Sequence, residues 1–61
     1  MTTRAQAVER MARIYAAVPE LGYDAGTLRA LFRAVTKFTP ADRWLPGLAA
    51  DVQARLSEVR S

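Results

Sequence analysis

Apolar side chains recur along this chain at three- and four-residue steps in three stretches, with Pro and Gly standing between them. In the first stretch Val8, Met11, Tyr15 and Val18 share one face with Ala7 and Ile14, while Gln6, Glu9, Arg10 and Arg13 fall opposite. That spacing predicts an amphipathic helix. Thr3 with Gln6 three residues on fits a capping box, and Pro19 both stops the helix and disfavours helical geometry at Val18. The first helix is therefore expected over about 4–18.

Pro19-Glu20-Leu21-Gly22 reads as a turn in which Gly22 is free to take positive φ. Asp24 is a good N-cap, and Leu28, Leu31, Phe32, Val35 and Phe38 line one face of a second helix over about 24–38. Thr39-Pro40-Ala41-Asp42 combines a capping Thr, a Pro at the first helical position and an acid in the first turn. A short helix over about 40–45 is expected, stopped or kinked at Pro46. Leu48, Val52, Leu56 and Val59 define a last helix over about 47–60, with Asp51 and Arg55 spaced as an exposed i,i+4 pair.

Each apolar stripe must close on the others, so the fold class is all-α, a small three- to four-helix bundle forming one domain over residues 1–61. Tyr15, Phe32, Phe38 and Trp44 are the large side chains available to its core. Trp44, on the short helix, suits either the core or an interface as a partner-binding anchor. A chain of 61 residues hides only about 60% of the surface its unfolded form exposes, so stability is marginal and self-association would add to it.

Composition narrows the chemistry. The 51% hydrophobic and 25% charged residues describe a globular chain. With no Cys and no His there is no disulfide framework, zinc finger, thiol nucleophile or Ser-His-Asp triad. Glu9, Glu20, Asp24, Asp42, Asp51 and Glu58 are scattered, and Gly22, Gly26 and Gly47 form no phosphate-loop pattern. A non-enzymatic protein is expected, with no cofactor, no metal and no small-molecule substrate. No apolar run is long enough to span a membrane, and Arg4, Glu9, Arg10 and Arg13 occupy the place of a signal peptide's apolar region. The expected compartment is the cytoplasm, with no membrane partner.

Net charge is +3, and eight of the nine basic residues are Arg. Arg29, Arg33 and Lys37 lie four apart, a rise of about 6 Å between stems, and no acid occurs between Ala25 and Ala41. Like charges at this spacing repel by a few tenths of a kcal/mol per pair. A nucleic-acid backbone would offset that cost, because the stripe would neutralise phosphates and release counterions. Arg10 and Arg13 would widen the patch, and Arg43 would add to it from the short helix. The expected function is association with nucleic acid, DNA foremost, through this stripe. The plain alternative is a solubilising face. A further alternative is a protein-binding adaptor or inhibitor of a larger complex, possibly a homodimer docked through Ala16-Ala17 or Ala49-Ala50-Ala54.

The segment Leu21-Gly22-Tyr23-Asp24-Ala25-Gly26-Thr27-Leu28-Arg29-Ala30-Leu31 resembles the junction of the first two helices in TetR-type transcriptional regulators. The resemblance covers about eleven residues. It implies a helix-turn-helix that binds DNA through the 40–45 helix, which offers Asp42, Arg43 and Trp44, rather than through the stripe. Beyond Leu31 the chain departs from the pattern: the turn lacks its usual Gly, and Phe32 or Arg33 falls where a small residue lets the helices approach. The 61 residues also hold no ligand-binding domain.

Overall fold

The computed structural model describes residues 2–61. Its first helix, α1, spans Arg4–Ala17. Both halves of the capping box are made: the Gln6 N–H donates to Thr3 Oγ1 at 3.1 Å and the Thr3 N–H to Gln6 Oε1 at 3.0 Å. Two of the otherwise orphaned N–H groups at the helix start are thereby satisfied. Val18 ends the helix, its N–H still bonding the Ile14 carbonyl at 2.9 Å, as the following Pro19 requires.

The second helix, α2, spans Ala25–Thr36. Asp24 caps it twice over, accepting the Thr27 N–H at 3.2 Å and the Thr27 hydroxyl at 2.7 Å. At the other end Lys37 enters the left-handed region, φ 69° and ψ 11°, while its N–H bonds the Arg33 carbonyl at 2.7 Å. This αL residue ends the helix at Thr36, two positions before the expected end at Phe38. The Thr36 hydroxyl fixes the turn, donating to the Phe32 carbonyl at 2.7 Å and accepting the Phe38 N–H at 3.1 Å. Phe38 is carried out of the core and left 63% exposed. Gly22 does not use positive φ; Lys37 alone does so among the described residues.

The expected separate helix over 40–45 is absent. Pro40 is buried in a non-helical segment, and only a single 3₁₀ turn, Asp42–Trp44, precedes the third helix, α3, over Leu45–Arg60. Pro46 does not stop a helix but sits in the first turn of α3, where a missing N–H breaks no hydrogen bond. Trp44 therefore lies at a helix start rather than on a buried face, and 52% of it is exposed.

Three helices close the all-α bundle, among the described residues without a strand. The core takes Ala7, Val8, Met11, Ala12 and Tyr15 from α1, Leu28 and Phe32 from α2, and Leu45, Leu48, Val52 and Leu56 from α3. Of the large aromatics available to the core, Tyr15 and Phe32 are buried and Phe38 is not; Trp44, open to either core or interface, is half exposed, and Val59 is also exposed. Tyr15 stacks on Tyr23 with ring centroids 4.2 Å apart and planes 6° from parallel, and its hydroxyl donates to the Gly22 carbonyl at 2.7 Å. The α1–α2 turn is thus held by an aromatic pair and one hydrogen bond rather than by glycine geometry. Asp51 and Arg55 do not pair with each other as expected. Asp51 meets Arg4 at 2.7 Å, and Arg55 meets Glu58 at 2.7 Å and Glu9 at 3.6 Å, so these charges tie α3 to α1.

Candidate nucleic-acid interface

The face of α2 turned from the core carries two interleaved series, each with a four-residue step. Gly26, Ala30 and Ala34 form one, and Arg29, Arg33 and Lys37 form the other. Short side chains between long ones leave an open groove of about 690 Å³, lined by all six residues and by Thr39. Two features produce it. The helix supplies the alternation of small and long side chains, and the left-handed Lys37 swings Thr39 back along the same face.

Among the described residues four cations are engaged by carboxylates, and one of these, Arg29, lies in the groove. Arg29 meets Asp42 at 2.8 Å. Arg13 meets Glu9 at 3.0 Å, and that carboxylate also faces Arg55, so Arg13 belongs to the α1–α3 side and does not line the groove. Arg4 and Arg55 are the others. Among the described residues no carboxylate reaches Arg33, Lys37, Arg10 or Arg43. Arg10 leans toward the end of α2, its Nη1 3.5 Å from the Val35 carbonyl and 3.4 Å from Thr2 Oγ1. Arg33, Lys37 and Arg10 thus gather near the negative pole of α2, where cations are favoured by about 0.3–1 kcal/mol each.

Arg43 is set apart from this cluster. It faces the Trp44 ring, its guanidinium carbon 5.9 Å from the ring centroid, and neither residue lines the groove. Because the 40–45 helix does not form, a helix-turn-helix that reads bases through it has no recognition element, which corrects the expectation carried by the Leu21–Leu31 resemblance. Among the described residues no helix is long and apolar enough to cross a membrane.

Two parts of the site escaped sequence reasoning. The Gly26, Ala30, Ala34 series was legible at its four-residue spacing beside the cations. The Arg29–Asp42 contact was not, since it depends on how the 37–41 segment turns. Elsewhere, the Thr27 hydroxyl and N–H hold the Asp24 carboxyl below its usual range, and burial, with Tyr23 and Asp24 nearby, pushes the Tyr15 hydroxyl up. Both groups serve the fold rather than the groove. The groove offers cations, a hydroxyl and a small-residue floor, a set suited to holding anions. No protein family, curated protein or solved structure matches the chain.

Proposed function

We propose that this chain is a non-enzymatic module that associates with nucleic acid, DNA foremost, through the outer face of α2. The observation that carries the reading is Lys37. Its backbone holds a left-handed conformation that costs a side-chain-bearing residue about 1 kcal/mol and that glycine adopts freely. A lysine there extends the Arg29–Arg33 series by one more cation, with no carboxylate beside it. The small-residue floor supports the same reading, because a phosphate strand can approach the helix closely while the longer side chains close on it.

The test is fluorescence anisotropy of labelled duplex and single-stranded DNA across a salt series, with wild type and the Arg29→Gln, Arg33→Gln, Lys37→Gln triple variant. Wild type is expected to show a log K against log salt slope steeper by about 0.9 per lost duplex contact. Equal slopes, with circular dichroism confirming both proteins folded, would remove α2 as the contact face. No wild-type binding at low salt would remove nucleic acid as the partner.

A second reading, an adaptor or inhibitor docked on a protein or on a second copy of the chain, is favoured by the exposure of Phe38 and Trp44. Its signature is affinity lost on Phe38→Ser with little dependence on salt.

A further inference from the structure

Away from the α2 groove, Arg4, Arg43, Trp44 and Gly47 line a separate hollow of about 330 Å³ at the start of α3. The indole in its wall is half exposed, which is costly in a domain so short of core. The Arg43 guanidinium stands over the ring. Arg4, also in the lining, is oriented by Asp51 through one contact at 2.7 Å, and among the described residues most of its five guanidinium donors have no carboxylate partner. A side chain at Gly47 would meet nothing within 4 Å, so the floor beside the indole is open.

A half-exposed indole in a hollow that also holds two arginines asks for a planar ring that carries negative charge. An apolar peptide side chain would cover the indole but strip water from two guanidiniums without replacing it. A base pair inside a duplex cannot reach the ring, because both of its faces are already stacked. An unpaired nucleotide satisfies both parts of the hollow: its base stacks on Trp44 and its phosphate pairs with Arg43 and Arg4. We propose that this hollow binds one unpaired nucleotide, so that the preferred ligand of the chain is a nucleic acid with a single-stranded or splayed residue. The proposal rests on the nucleic-acid reading for the class of ligand, but on none of the α2 residues. The whole protein measures 30 × 25 × 17 Å, so one strand of roughly ten nucleotides spans both surfaces.

Trp44 is the only tryptophan in the chain, so intrinsic fluorescence reads the hollow directly. The experiment titrates the full chain with an oligothymidylate and with a blunt duplex, following tryptophan emission and, in parallel, anisotropy of the labelled nucleic acid. The oligothymidylate is expected to quench the emission and the blunt duplex to leave it unchanged. Trp44→Leu and Arg43→Gln, both at exposed positions, are each expected to weaken the oligothymidylate on the order of tenfold while sparing the duplex. Anisotropy that reports binding while the emission stays constant would overturn the hollow and leave the α2 reading standing. Equal weakening of both ligands by Trp44→Leu would also overturn it, since a stack on an unpaired base must discriminate between them. Absence of binding by either ligand would remove both readings together.

Discussion

The Asp42 carboxylate lies 2.8 Å from the Arg29 guanidinium, bringing an acid from the 3₁₀ turn onto the first cation of the α2 series. Any external anion must compete with this internal one. Asp42 is 82% exposed on its side chain, so the pair contributes about 0–1 kcal/mol to stability and little is lost by removing it. Asp42→Asn is therefore expected to leave the melting temperature nearly unchanged and to steepen the salt dependence of duplex binding by about 0.9, as Arg29 becomes free for a phosphate. An anisotropy salt series on the variant measures this, and an unchanged slope would show that Asp42 does not hold Arg29 away from phosphate.

Lys37 sets stability against charge. Replacing it by glycine relieves the left-handed backbone, and the expected gain is about 0.5–1 kcal/mol after the extra chain entropy of glycine is counted. The same change removes one cation from the groove, so binding should weaken and its salt slope should flatten. Lys37→Ala separates the two effects, because it keeps the strain and loses only the charge. Urea unfolding of the three proteins checks the order Gly above Lys, with Ala showing no comparable gain.

The helices were legible because their signals are local. Thr3 with Gln6, Asp24 before Thr27, and the apolar steps from Val8 to Tyr15 and from Leu48 to Leu56 each decide structure within one or two turns, and all are realised. The errors cluster between Thr36 and Pro46, where local signals conflict. Thr39-Pro40 is a sound helix start on its own, yet the αL turn at Lys37 and the burial of Pro40 direct the chain past it, and Pro46 then serves as the opening turn of α3. Phe38 lies in that segment and leaves the core when it changes course, while Trp44, open to either place, ends half exposed at the start of α3. The stripe itself was readable from spacing, whereas its neutralisation at Arg29 and the separate placement of Arg13 and Arg43 depend on contacts between elements.

Met11 is fully buried at the centre of the core. Met11→Ala is expected to cost about 2–5 kcal/mol through lost transfer energy and the cavity left behind. A single core of this size supplies only about 3–5 kcal/mol in total, so the variant should lose its cooperative thermal transition by circular dichroism. A transition that persists, with a midpoint that rises with protein concentration, would show that a second copy completes the core.

Tyr15 couples the fold to alkaline pH. Its hydroxyl donates to the Gly22 carbonyl and its ring lies against Tyr23. Burial raises its pKa above the usual value near 10, and the nearby Tyr23 and Asp24 charges push in the same direction. A group whose folded pKa is raised contributes stability that is complete below its unfolded pKa and is lost as pH rises through the folded value. Unfolding free energy should therefore be level between about pH 7 and pH 9 and fall above about pH 10. Tyr15→Phe removes the titrating group together with one hydrogen bond. The variant is expected to lose about 1 kcal/mol at neutral pH and to fall less steeply in alkali than wild type. Urea unfolding of both proteins at about pH 8 and about pH 11 measures the two slopes. Parallel declines would assign the alkaline loss to another group and remove Tyr15 as its source.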